Sequence, residues 1–129
     1  VETLQKTNIL LVDDRRENLI AMEAVLDNTG YNLVKASSGM EALKYLLNMD
    51  FAVILLDVQM PEMDGFQTAK TIRERKKTRN IPIIFLTAEY GSIEYVTQGY
   101  TLNAVDYIVK PFNPDIIKAK VEVFVELYK

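Results

Sequence analysis

Four places in this 129-residue chain carry side chains able to handle a charged group: the pair Asp13-Asp14, then Asp57, Thr87 and Lys110. Each ends or directly follows an apolar run, so each falls where a buried strand would emerge. Carboxylates offer only oxygen, which selects a hard cation, and Mg2+ suits one or two carboxylates plus waters and a phosphate. Lysine adds a compact positive charge and threonine a hydroxyl donor. Together they describe a pocket for a phosphoryl group. The chain has no Gly-x-x-x-x-Gly-Lys loop and no Gly-x-Gly-x-x-Gly, so the backbone cradle used for nucleotides is missing. The phosphoryl group would then sit on the protein, with a carboxylate as its nucleophile.

Composition narrows the alternatives. The chain has no cysteine, which removes disulfides, thiol catalysis and thiolate-bound zinc. It also has no histidine, so imidazole is excluded as general base, metal ligand or phosphate carrier. Hydrophobic residues make up 49% and charged residues 26%, the balance of one globular domain with a real core. Net charge is −3 with no basic block, which argues against direct nucleic-acid binding. No apolar run approaches the roughly 18 residues needed to span a membrane, and no signal-peptide pattern is present, so a cytoplasmic location is expected.

The elements that must position these groups alternate along the chain. Apolar strands are expected at 8–12, 31–36, 52–57, 81–86 and 104–109. Helices are expected from Arg15 to about Thr29, after Ser37-Ser38, from about Phe66 to Lys77, from about Ser92 to Leu102, and from Pro114 onward. Gly30 suits the stop after the first helix, and Met40, Leu43, Leu46 and Leu47 suit the inward stripe of the second. Asp64 suits a cap for the third. Strand then helix, five times, implies right-handed crossovers and a doubly wound α/β fold: a (βα)5 five-stranded parallel sheet of flavodoxin-like order 2-1-3-4-5. In that order the first and third strands are neighbours, which brings Asp13, Asp14 and Asp57 together. Carboxylates about 5 Å apart repel by about 3 kcal/mol per pair at an effective dielectric near 20, so a cation or a proton must relieve them. Asp57 ends the central strand, between the acid pair and the Thr87/Lys110 side, and is the natural nucleophile.

Four segments at these strand ends carry a family resemblance: Leu11-Val12-Asp13-Asp14, the run from Leu56-Asp57-Val58-Gln59 through Met60-Pro61-Glu62-Met63-Asp64-Gly65, Leu86-Thr87-Ala88, and Asp106-Tyr107-Ile108-Val109-Lys110-Pro111-Phe112. The chain resembles a response-regulator receiver domain, the phosphoacceptor module of two-component signalling, of the chemotaxis-regulator-like kind, from about Asn8 to Tyr128. The resemblance implies that Asp57 accepts a phosphoryl group from a histidine kinase or phosphotransfer protein. It implies that Asp14, Asp57 and the backbone carbonyl of Gln59 hold Mg2+, with Asp13 acting through a bound water. Lys110 would pair with the acceptor and then with the phosphate. Thr87, with Ala88 beside it, would turn toward the phosphate, and Tyr107 would move inward as the aromatic half of that switch. A cis peptide before Pro111 would aim the lysine, and Gly65 would serve loop geometry. One departure is visible: Asn103-Ala104 stands where the family often has Gly-Ala.

The resemblance also implies a signalling switch, which catalyses only its own phosphorylation and dephosphorylation, and an output domain or effector protein that reads it. A chain without an initial methionine suggests a single receiver domain (1–129) excised from a longer protein, a hybrid kinase being one source. Two rival functions are a Mg2+-dependent phosphatase and a phosphorylation-independent interaction module. The first typically has Asp-x-Asp at its nucleophile, and Asp57-Val58-Gln59 lacks the second acid. The second predicts loss of an acid or of Lys110, and none is lost. Apolar residues on two faces of the last two helices point to a homodimer or partner surface over residues 91–128, a wide core stripe being the alternative.

Overall fold

Strands apolar on both faces need cover on both faces, and the helices supply it. The computed structural model describes residues 6–28, 30–88 and 106–129. Within them the order is β1 (Thr7–Val12), α1 (Arg16–Leu26), β2 (Tyr31–Ala36), α2 (Gly39–Asn48), β3 (Val53–Asp57), α3 (Gly65–Glu74), β4 (Ile83–Thr87), β5 (Asp106–Val109) and α4 (Pro114–Tyr128). The sheet runs β2-β1-β3-β4-β5 with every described pairing parallel, as the strand–helix alternation predicts. The expected helix at 92–102 lies outside the described residues.

Alternation along each strand splits the core in two. Leu10, Val12, Ile54, Leu56, Ile83 and Phe85 face α2 and α3. Ile9, Leu11, Val53, Leu55, Ile84 and Leu86 face α1 and α4. Burying a side chain of this size contributes about 1.5–3 kcal/mol, so the central strands are the most firmly held part of the fold.

The helix ends follow from local chemistry. Asp64 caps α3 with a reciprocal capping box, its carboxylate accepting from Gln67 N–H while the Gln67 side chain accepts from Asp64 N–H. Asn113 and Pro114 open α4, and Ser38 caps α2. Other expectations need correcting. The first helix stops at Leu26, and Gly30 is no helix stop: its N–H donates to the Asn28 side chain in a local turn. α3 stops at Glu74 rather than Lys77, because Thr78 Oγ1 folds back on the Ile72 carbonyl. β4 starts at Ile83 rather than Ile81, since Ile81 N–H is used by the turn at Thr78 and Pro82 has none to give.

The stripe of α2 is also shifted. Met40 and Leu47 are exposed, and Gly39, Ala42, Leu43 and Leu46 face inward. Close packing on α3 is the reason, because a Cβ at Gly39 would fall 2.3 Å from Thr68 Oγ1. On α4 the buried set is Ile117, Val121 and Val125, with Phe124 half-buried; Ile116, Val123, Leu127 and Tyr128 are exposed.

Gly65 has the tightest backbone approach. A Cβ there would lie 2.2 Å from the Asp57 carbonyl oxygen and 2.8 Å from Val58 Cα, both backbone atoms with nowhere to go. Gly65 N–H meanwhile donates to the Val58 carbonyl at 2.8 Å. Gly65→Ala is therefore expected to cost about 2–3 kcal/mol through forced displacement of the β3–α3 loop, read as a lower urea midpoint.

Candidate functional site

The sheet register places the site. Val12 lies opposite Leu56, so Asp13 leaves β1 beside Asp57 at the end of β3. Asp57 lies opposite Leu86, and Thr87 opposite Val109, so Thr87 and Lys110 step out of β4 and β5 on the other flank. Backbone bonds continue past the strand ends, from Asp13 N–H to Ala36 O (3.1 Å), Val58 N–H to Leu86 O (3.0 Å) and Lys110 N–H to Thr87 O (2.9 Å). The mouth is thereby part of the rigid sheet. Side chains built on such a frame are held more accurately than side chains on free loops.

Asp13, Asp14 and Asp57 can each turn one oxygen into a group spanning no more than 4.8 Å. Asp13 and Asp57 are buried, whereas Asp14 is exposed. Asp13 accepts from Arg15 N–H (2.9 Å) and from the Asn18 amide (3.1 Å). Lys110 Nζ sits 3.0 Å from Asp13 Oδ2 and 3.0 Å from Asp57 Oδ1, bridging the two buried acids. Gln59 N–H adds a long contact of 3.4 Å to Asp57 Oδ1.

One lysine does not balance this charge. Burial, together with the Asp13 charge, pushes the Asp57 carboxyl up to about 6, against the pull of Lys110 and the Gln59 N–H. Burial also disfavours the Lys110 ammonium, yet its bonds to Asp13 and Asp57 and their charges outweigh that and leave it above the ordinary lysine value. The acid cluster is therefore short of positive charge, and an all-oxygen donor set of this size fits a hard divalent cation.

Thr87 is buried at the end of β4, and Ala88 beyond it is exposed. Tyr107 is half-buried on β5, its ring 5.6 Å from that of Phe85, which in turn meets Phe66 edge-on at 4.9 Å. The Lys110-Pro111 peptide is cis. Asp57, Asp13, Asp14, Thr87 and Lys110 thus share one end of the sheet, with Gln59 in the loop after β3 and Gly65 at the first position of α3. Asn18 was not singled out from sequence. Its signal was available: it is an amide-bearing residue on the first turn of α1, the helix that starts directly after the acid pair, five residues from Asp13.

Known proteins resemble this chain in sequence and in fold. The family model for the response regulator receiver domain matches residues 9–122. The transcriptional regulatory protein SrrA of Staphylococcus aureus is 40% identical over 114 residues, covering 88% of this chain and 46% of that protein. The chain thus spans about half the length of the curated relatives it matches. Among solved structures, the chemotaxis protein CheY4 of Vibrio cholerae superposes with a TM-score of 0.86 at 33% identity, covering 92% of this chain and 98% of that one. The signal receiver domain of a histidine kinase from Syntrophus aciditrophicus gives 0.83 at 28% identity, over 93% and 90%. Three acids, a bridging lysine and a buried threonine at one end of a 2-1-3-4-5 sheet, with a family match over most of the chain, place this protein in the response regulator receiver domain family of two-component systems.

Proposed function

We propose that Asp57 is the phosphoacceptor of a signalling switch and takes its phosphoryl group from the phosphohistidine of a histidine kinase or phosphotransfer protein. The observation that carries this reading is the placement of Lys110 Nζ, 3.0 Å from both Asp13 and Asp57, on a charge-deficient acid cluster. Asp13, Asp14 and Asp57, with the Gln59 carbonyl, would hold Mg2+, which when bound supplies charge neutralisation for the incoming group. Asp13 is the least direct of these ligands, because its oxygens are already engaged by Arg15 N–H, Asn18 and Lys110.

In the transfer, an Asp57 carboxylate oxygen bonds to phosphorus while the phosphorus–nitrogen bond of the donor breaks. The imidazole nitrogen keeps the electron pair and takes a proton from solvent. Lys110 holds the acceptor oxygen and stabilises charge on the phosphoryl oxygens, and the sheet fixes the line of approach. Catalysis is then positioning plus electrostatics. The acyl phosphate adds negative charge and acceptor oxygens beside Thr87 and Lys110. Reorientation of the Thr87 hydroxyl and inward movement of Tyr107 would pass the change to the surface, where another domain or protein reads it.

Mass spectrometry after acetyl phosphate with Mg2+ tests the site. The expected result is a gain of one phosphoryl group that is lost in Asp57→Asn and on chelation of Mg2+. A gain that survives the substitution moves the acceptor elsewhere, and a gain that survives chelation removes the metal from the scheme.

A further inference from the structure

The exposed face of α2 and the turn after α3 form a second surface, which runs from the first turn of α2 down to the end of the sheet opposite Asp57. Residues 70–79 hold six basic side chains against one acid, Glu74, in a chain whose net charge is −3. The rest of the chain therefore carries −8. This short run is a local basic block within an acidic chain, which the expectation of no basic block passed over. Two of its cations serve the fold: Arg73 Nη1 donates to the carbonyls of Arg79 and Ile81, both at 2.8 Å, and Lys77 Nζ donates to the Leu47 carbonyl at 3.0 Å. The Lys76 and Arg79 side chains are exposed.

The Lys77 bond ties this turn to the C-terminal end of α2. There Leu47 is 58% exposed, and Met40, seven residues earlier on the same face, is 53% exposed with exposed Lys44 between them. Two apolar anchors about 10 Å apart, flanked by cations, make an amphipathic docking face. Its lower end lies at the start of the sheet, because the Asp50 carbonyl just after α2 accepts from the Asn8 side chain in β1.

From this charge complementarity we infer that the α2 face and the 75–79 turn bind an acidic amphipathic segment of a partner protein. Leucine-like side chains of the segment cover Met40 and Leu47, and its carboxylates meet Lys44, Lys76 and Arg79. An extended polyanion fits less well, since the −8 on the remainder of the chain repels it beyond this small patch. The Leu47, Lys76 and Arg79 end of the site lies about a helix length, ~15 Å, along the sheet from its carboxyl edge, and Met40 on the first turn of α2 stands nearer that edge.

Amide-shift titration of the full chain tests this. The probes are a helical peptide with two leucines seven positions apart among glutamates, its sequence-scrambled isomer, a short DNA duplex, and phosphatidylserine vesicles. The helical peptide is expected to shift Lys44, Leu47, Lys76 and Arg79 saturably, and to weaken as salt rises through the physiological range. Lys76→Glu combined with Arg79→Glu weakens it about tenfold, and Leu47→Ser about fivefold. All three side chains are exposed, so the variants fold and still gain the phosphoryl group at Asp57. No saturable shift, equal binding of the scrambled isomer, indifference to these substitutions, or tighter capture of the duplex or vesicles at the same residues would overturn the inference.

Discussion

Asp57→Asn is expected to give a protein that accepts no phosphoryl group yet, in the absence of divalent cation, unfolds at a higher urea concentration than the parent. The gain follows from the raised carboxyl. Asp57 titrates near 6 in the folded chain against 3.8 for an unperturbed group, so the folded state binds the proton more tightly than the unfolded one. Where the folded state holds more protons, stability falls as pH rises. The contribution of Asp57 to the parent's stability should therefore fall between about pH 4 and pH 6 and then level off. The full linkage of about two pH units is worth about 3 kcal/mol. The attraction of Lys110 is already contained in that shift, so the variant is expected to gain about 3 kcal/mol above pH 6. Below pH 4 parent and variant should converge, since Asp57 is then neutral in both states of the parent. Urea midpoints across this range, with and without Mg2+, check the assignment. Mg2+ should stabilise the parent and have far less effect on the variant. A variant no more stable than the parent at pH 7 would mean that the Asp57 charge is already fully compensated without a cation.

Lys110→Ala is expected to have the larger effect in the opposite direction. It removes the one cation that, among the described residues, is bonded to both buried acids, and leaves Asp13 and Asp57 facing each other. Breaking a buried pair this way costs about 3–5 kcal/mol when the pair is dry. The Lys110 side chain keeps 19% of its exposure, so about 2–3 kcal/mol is expected at neutral pH. The phosphorylation rate should fall about a hundredfold, the usual consequence of losing one preorganised charge at the reacting oxygen. A second readout separates electrostatics from misfolding. Without the lysine the Asp57 carboxyl should move further up from about 6, because Lys110 is what pulls it down. Carboxyl carbon shifts followed across pH would show this. A carboxyl that stays in place while activity is lost would make Lys110 a structural residue only.

The two variants bracket one physical statement. The site is poised, with two acids buried in a rigid sheet and one lysine too few. Such clusters destabilise the chain that carries them, and they persist where function needs the stored repulsion. Here the shortage creates the demand for a divalent cation, and the same shortage makes a new phosphate at Asp57 a large local perturbation.

Much of this was legible in the chain itself. Apolar runs such as Ala52–Leu56 have no polar alternation, and a strand of that kind has to be buried on both faces; with helices between, a parallel 2-1-3-4-5 sheet follows. The strand-end positions of Asp13, Asp57, Thr87 and Lys110 were readable for the same reason, because in a parallel sheet every strand delivers its C-terminal residue to one edge. Tertiary structure alone decided the rest. The sequence could not say that Lys110 bridges Asp13 and Asp57 equally, because that depends on the register of β1, β3 and β5 through an intervening strand. Periodicity also misassigned Met40 and Leu47 to the core, since it counts apolar surface and cannot see how closely two helices pack. The contact of Gly39 with Thr68 draws α2 against α3 and sets the inward face at Gly39, Ala42, Leu43 and Leu46, leaving Met40 and Leu47 in water. The acids that could react were set by the pattern of residue types. How much charge they lack was set by distances between strands far apart in the chain.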